Sequence, residues 1–212
     1  MRDENFSYPE KGLNLKTLQR VADFYDKRKV GDVGPLGFRR STDLSILLNS
    51  LDRLIAEKII EPDRTRFLDM GCADGRVNVF LSYVVRSSIG IELDEWTLDE
   101  YDSLLLDLSS RLKTEGLLPP PDNIFLFNGD SSGKEIYLEI KQKTGISFEE
   151  FDLFYTYLVM QEEFARIIAQ KAKKGALFII YGLNQILPRF EGLTLLEDIS
   201  PMERILAVYR KN

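Results

Sequence analysis

Apolar residues recur at helical spacing from Leu15 through Leu18, Val21, Ala22 and Tyr25, and Gly31 then interrupts the pattern. This predicts a first helix. Val30 to Arg40 holds three glycines and a proline, a composition suited to a mobile connection or a lid. A second helix is predicted by Leu44, Leu47, Leu48, Leu51, Leu54 and Ile55, with Ser41 and Thr42 placed to cap it. Thr65 to Met70 then reads as a short strand running into a glycine-rich turn, followed by a helix carrying Val77, Phe80, Leu81, Val84 and Val85. Ser88 to Glu92 is a second strand, and the helix after it places Leu98, Tyr101, Leu105, Leu108 and Leu112 on one face. Pro119 to Pro121 forbid regular helix, and Ile124 to Phe127 makes a third strand. Phe151 to Leu158 reads as a fourth strand. A helix from Gln161 with acidic residues early and lysines late follows, matching its dipole, and Gly175 ends it. Ala176 to Tyr181 is the fifth strand, and Leu193 to Leu196 with Ile205 to Tyr209 reads as an antiparallel closing pair.

Strand and helix alternate through most of the chain, which predicts an α/β fold with a mostly parallel sheet covered by helices on both faces. At 212 residues and 44% hydrophobic content the expectation is one domain, with residues 1–60 an N-terminal helical cap and 61–212 the core. Met1 to Gly12 is polar, and apolar runs such as Ala176 to Ile180 are far shorter than the ~20 residues of a membrane-spanning helix. A soluble, cytoplasmic protein is expected, with no membrane partner. The single cysteine, Cys72, and the absence of histidine leave no intrachain disulfide and none of the usual zinc sites, so no metal is expected. A net charge of -6 argues against a general nucleic-acid binder. The balance is uneven, because Lys27, Arg28, Lys29, Arg39 and Arg40 gather before the core. Two readings of that cluster stay open: a solvated helix end, or a contact for an acidic substrate or a cofactor carboxylate.

The chemistry is concentrated in Phe67-Leu68-Asp69-Met70-Gly71-Cys72-Ala73-Asp74-Gly75-Arg76, where the first core strand meets its helix. Small residues at 71, 73 and 75 let the backbone turn sharply and a flat ligand approach it. The dinucleotide fingerprint spaces its last two glycines three apart; here the last spacing is two, and Asp69 adds a carboxylate that repels phosphate but favours an ammonium or sulfonium. The pattern therefore points to a cation without phosphates, such as S-adenosylmethionine. Glu92, in Gly90-Ile91-Glu92-Leu93-Asp94, follows by some twenty-odd residues, where an acidic side chain accepts hydrogen bonds from ribose hydroxyls.

Asp69-x-Gly71-x-Ala73-x-Gly75 resembles motif I of class I S-adenosylmethionine-dependent methyltransferases, with alanine in place of the middle glycine. The resemblance covers roughly Arg66 to Gly182 and implies a Rossmann-like seven-stranded sheet of order 3-2-1-4-5-7-6. It implies that S-adenosylmethionine, and its product S-adenosylhomocysteine, lie with Gly71, Cys72, Ala73 and Gly75 under the methionine part and Glu92 on the ribose, with Leu93 also at the cofactor. It also implies a role for Asn128-Gly129-Asp130-Ser131, with Asp130 on the adenine amino group and Ser131 at the ring. The alternative for Asp130 is an ordinary turn aspartate. Gly37-Phe38-Arg39-Arg40-Ser41-Thr42 is loosely similar to the segment that closes over the cofactor in Dot1-like lysine methyltransferases, which makes Thr42 a cofactor candidate, although Arg40 stands where proline is usual.

Methyl transfer needs alignment of the nucleophile and exclusion of water more than a base, so the missing histidine is no obstacle. The acceptor is expected beside the end of the fourth strand, with Tyr157 and Thr156 as the catalytic candidates. The Asn/Asp-Pro-Pro-Tyr motif of enzymes that methylate base amino groups or glutamine is absent there. The acceptor itself is not specified; a protein lysine or a small molecule is favoured over nucleic acid. The rival reading is a non-catalytic S-adenosylmethionine-binding sensor or partner subunit, which an acceptor cavity plugged by Tyr155, Tyr157 and Phe38 would favour. A nicotinamide-dependent oxidoreductase is disfavoured by the glycine spacing and by Asp69.

Overall fold

The computed structural model describes residues 14–34, 37–39 and 41–212, with side chains placed except along 31–34 and 37–39. Two helices, α1 (Leu15–Asp26) and α2 (Leu44–Ala56), are linked by the strands β1 (Val30–Gly34) and β2 (Gly37–Arg39). The core then runs β3 (Arg66–Met70), α3 (Arg76–Ser82), β4 (Ser87–Glu92), α4 (Glu95–Leu98), α5 (Glu100–Thr114), β5 (Ile124–Asn128) and α6 (Glu135–Thr144). It continues through β6 (Leu153–Tyr157), α7 (Gln161–Lys171), β7 (Leu177–Tyr181), β8 (Leu193–Leu195) and β9 (Leu206–Lys211). One seven-stranded sheet has the order β5-β4-β3-β6-β7-β9-β8; counted along its own strands this is 3-2-1-4-5-7-6, as expected. β5, β4, β3, β6 and β7 are parallel, and β9 runs antiparallel to both β7 and β8.

Strand periodicity divides the core into two layers. Phe67, Leu153, Tyr155, Leu177, Ile179, Leu206 and Val208 point to one face, where they share a cluster with buried residues of α1, α2, α3 and α5. Leu68, Met70, Phe154, Phe178, Ile180 and Ala207 point to the other, under α6 and α7. The stripe Leu18, Val21, Ala22 and Tyr25 of α1 is buried in the first cluster, so α1 and α2 pack as part of the sheet's helical layer.

Two local expectations change, the connection before α2 and the cap of α2. β1 and β2 pair as an antiparallel ribbon, Val30 opposite Arg39 and Gly34 opposite Gly37, rather than forming an irregular connection; glycine-rich ribbons carry no side-chain alternation by which to read them. Arg40 and the side chains of Phe38 and Arg39 lie outside the described residues. α6 lacked a clear stripe in the sequence because it buries only Ile136 and Ile140.

The cap of α2 comes from elsewhere in the chain. Asp43 holds the N-cap position without a side-chain capping bond. Asp26, at the end of α1, accepts from the Leu44 N–H at 2.7 Å and the Ser45 N–H at 3.0 Å, while Ser41 and Thr42 turn inward to other partners. A carboxylate at a helix start satisfies free amides and opposes the dipole. Replacing Asp26→Ala is expected to cost about 1–2 kcal/mol in urea unfolding, and Asp43→Ala distinctly less.

Candidate functional site

A cavity of about 450 Å³ opens at the C-terminal ends of the parallel strands. Its wall includes Asp69, Gly71, Cys72, Ala73, Glu92, Leu93, Asp130 and Ser131. Thr42, Thr156 and Tyr157 line it as well, so every sequence candidate except Gly75 meets there. The topology explains the convergence: β4, β3 and β6 are adjacent and parallel, and the loops leaving them share one edge of the sheet.

The two turn glycines do different work. Gly71 has φ +104°, and a Cβ added there would meet nothing within 4 Å, so the position is conformationally demanding yet open. Gly75 starts α3 with φ +74°, and a Cβ there would lie 2.7 Å from Leu126 and 2.8 Å from Tyr101. Gly75 thus lets α3 seat against its neighbours behind the cavity. Between them Ala73 adopts φ +50°, held by its N–H donating to Glu92 Oε2 at 2.9 Å.

Bonds within the protein use up four of the turn's amides. The N–H groups of Gly71 and Cys72 both donate to the Ile91 carbonyl at 2.9 Å, and that of Gly75 donates to the Cys72 carbonyl. With Ala73 bonded to Glu92, none of these four amides is left to cradle a phosphate, which is what a pyrophosphate-binding turn requires. Glu92 is fixed in turn, because its Oε1 accepts from the Asp94 N–H at 2.9 Å.

Asp69 is 1% exposed, and its Oδ1 has no hydrogen-bond donor among the described residues. Burial pushes its pKa well above the usual carboxylate range, and the nearby charges of Glu92 and Asp74 push it further. Burial, then Asp69, Glu92 and Asp74, likewise raise the Cys72 thiol, which disfavours the thiolate there.

Arg76 was quoted in the sequence motif but not singled out as a site residue. It is 3% exposed, lines the cavity, and clasps Asp74 through two bonds of 2.9 Å, from Nε to Oδ1 and from Nη2 to Oδ2. Its Nη1 donates to Ser41 Oγ at 2.9 Å, and its guanidinium lies over the Tyr25 ring. Arg28 approaches the same Asp74 at 3.4 Å and also pairs with Glu100. Part of the N-terminal positive cluster is therefore spent tying α1 to the turn.

The hydroxyls near the end of β6 are also committed. Thr156 donates toward the Met70 carbonyl at 3.1 Å and the Val159 carbonyl at 3.2 Å. Tyr155 is bonded to Thr42, and burial raises its pKa well above the normal tyrosine range. Tyr157 stacks on Tyr181 with ring centroids 5.2 Å apart. Past it, Val159 and Met160 line the cavity, with Met160 held at φ +46°. Asp130 is exposed, and its Oδ1 accepts from the N–H and the hydroxyl of Ser132, an aspartate turn that leaves Oδ2 available. Ser131 is buried, and its carbonyl accepts from the Tyr137 hydroxyl. Among the described residues, no helix is long and apolar enough to cross a membrane.

No protein-family model and no curated protein matches the sequence. Solved structures do match in fold. A putative RNA methyltransferase from Pyrococcus horikoshii aligns with TM-score 0.56 at 12% identity, over 92% of this chain and 98% of its own. A mutant of the protein MtNAS in complex with S-adenosylmethionine aligns at 0.53 and 14%, over 93% and 72%. A putative methyltransferase from Escherichia coli aligns at 0.51 and 16%, over 84% and 90%. At such identities the likeness establishes the Rossmann-like seven-stranded fold alone.

The state of Asp69 yields a sign-definite prediction. Its folded pKa lies above an unfolded value of about 3.9, so the native state binds the extra proton, and stability falls as pH rises from that value through the folded pKa. Asp69→Asn removes this loss. Its urea midpoint is expected to exceed that of the native sequence at neutral pH, with the gap closing in acid; an equal or lower midpoint at neutral pH would contradict the assignment.

Proposed function

We propose that this protein is an S-adenosylmethionine-dependent methyltransferase whose cofactor occupies the cavity at the ends of β3, β4 and β5. The observation that carries the reading is the buried, unpartnered carboxylate of Asp69 beside a turn in which the amides of Gly71, Cys72, Ala73 and Gly75 are spent. A cation compensates such a group and a phosphate aggravates it. The fold shared with structures named as methyltransferases, and with MtNAS crystallised with S-adenosylmethionine, supports the same reading.

The residues present suit each part of this cofactor. Asp69 faces the α-ammonium and Glu92 the ribose hydroxyls, while Leu93, Asp130 and Ser131 flank the adenine. Arg76 takes the α-carboxylate: Asp74 and Ser41 use three of the five guanidinium N–H groups, leaving two. When bound, the cofactor supplies a methyl group on a positively charged sulfur that leaves as a neutral thioether. The chain's own task is alignment and exclusion of water.

Tyr157, Val159, Met160 and Phe164 form the apolar side of the cavity, where the acceptor is placed, with Thr156 holding the loop in shape through the Val159 carbonyl. Thr156 and Tyr157 thus act as positioning groups. Among the described residues the space between these side chains is part of the cavity, which favours an enzyme over a sensor with a plugged site. Arg76 is the sole cation on the cavity wall among the described residues, and the cofactor carboxylate takes its two remaining N–H groups, which favours a small molecule or a protein side chain over a nucleic acid phosphodiester as acceptor.

The test compares S-adenosylhomocysteine with 5′-methylthioadenosine, the same nucleoside without the amino-acid head, by calorimetry. The native protein is expected to prefer S-adenosylhomocysteine, and Asp69→Asn or Arg76→Met to narrow the preference by about tenfold to a hundredfold. Affinity for S-adenosylhomocysteine should rise with pH as Asp69 ionises, and this dependence should vanish in Asp69→Asn. Labelled-methyl transfer into separated protein, RNA and small-molecule fractions of a lysate then identifies the acceptor class. Failure of both nucleosides to raise the melting temperature at saturation overturns the proposal.

A further inference from the structure

The opposite end of the same sheet holds a second concavity, of about 460 Å³, formed where β3, β6 and β7 begin and where the chain turns into β4. Six cations line it (Lys58, Arg64, Arg66, Arg86, Lys173 and Lys174) against the carboxylates of Glu61 and Asp152. This is an abrupt reversal in a chain of net charge -6.

Half of the positive charge is neutralised locally. Arg66 pairs with Glu150 at 2.8 Å, Lys173 with Asp152, and Arg64 with Glu61 at 3.4 Å. Asp152 is itself fixed, since its Oδ2 accepts from the Arg66 N–H at 2.8 Å, so these pairs make an ordered floor. Lys58, Arg86 and Lys174 are exposed and have no ion-pair partner among the described residues.

Helix dipoles account for part of this placement. Lys58 follows α2, Arg86 follows α3 and Lys174 follows α7, and cations are favoured at helix C-termini. That effect accounts for one cation at each end; it does not require three unneutralised ones around a shared concavity, where they repel one another and where a concave wall focuses their field. An anion bearing several closely spaced charges relieves the repulsion.

We propose that this concavity is a binding site for closely spaced phosphates, with Lys58, Arg86 and Lys174 as its ligands. Two sources present that chemistry: a free polyphosphate, as in a nucleoside triphosphate, or the backbone of a single-stranded nucleic acid. The site is independent of the methyltransferase reading, because a five-residue strand such as β3 holds the two sheet ends about 17 Å apart.

The experiment titrates the protein with tripolyphosphate and, separately, with a single-stranded RNA 12-mer, at several salt concentrations. The partner sample is the triple variant Lys58→Ala, Arg86→Ala, Lys174→Ala. Binding of at least one probe is expected, weakened about tenfold or more in the variant, with the slope of log affinity against log salt lowered by about two if all three side chains contact RNA phosphates. Binding of tripolyphosphate assigns the free-phosphate source, and binding of RNA alone assigns the nucleic acid; both uphold the site. Binding of neither probe, or equal binding by native and variant proteins, overturns it. The melting temperature of the variant without ligand, and its affinity for S-adenosylhomocysteine relative to the native protein, verify that the fold is intact; loss of S-adenosylhomocysteine binding by both proteins concerns the other cavity alone.

Discussion

Asp69 stands near the end of β3 with one oxygen unbonded in a place water scarcely reaches. Burial of a carboxylate without a partner is among the most costly things a fold does, and neighbouring negative charge makes it worse. Much of the surrounding structure keeps that cost in place. Glu92, which raises it, is locked by the Ala73 and Asp94 amides and cannot swing away. The turn amides that otherwise serve a carboxylate are directed to the Ile91 and Cys72 carbonyls. The outcome is a site poorer without a cation than with one, a trade of stability for function of the kind expected at a binding centre.

The countercharge is nearby but assigned elsewhere. Asp74 lies buried in the same turn and is covered by Arg76 and Arg28, so the turn contains one satisfied carboxylate and one unsatisfied carboxylate five residues apart. Through Arg76, Ser41 and Tyr25, the N-terminal helices and the turn form one polar network. Loss of α1 therefore disturbs the cavity as well as the core. The two ends of the sheet also differ in sign: carboxylates gather where strands end and cations where helices end. A parallel α/β arrangement favours that division, because it collects helix N-termini at one edge and C-termini at the other.

Much of this was legible in the amino-acid order. The strands of the sheet, the αβ alternation and the turn at 71–75 follow from hydrophobic period and from small residues at fixed spacing, both local properties. Asp69, Glu92 and Asp130 stood out because each ends a strand. What was not legible is contact between distant segments. The cap of α2 by Asp26 skips eighteen residues, and no local rule separates it from a cap by Ser41 or Thr42. Gly75 and Gly71 look alike in the motif, yet one packs against Leu126 and Tyr101 and the other faces open space. The ribbon of β1 and β2 was hidden because glycine leaves no alternation to read.

The sequence by itself determined the class of fold, the order of its elements and the place of the glycine-rich turn, since these depend on neighbours along the chain. Only the tertiary structure decided which charges are paired. Arg76 and Asp69 are both charged residues in one short motif, and pairing depends on what the fold brings from α1, from the segment before α2 and from β4. Electrostatic energy is a property of distance and burial in space, and neither is written in the order of residues.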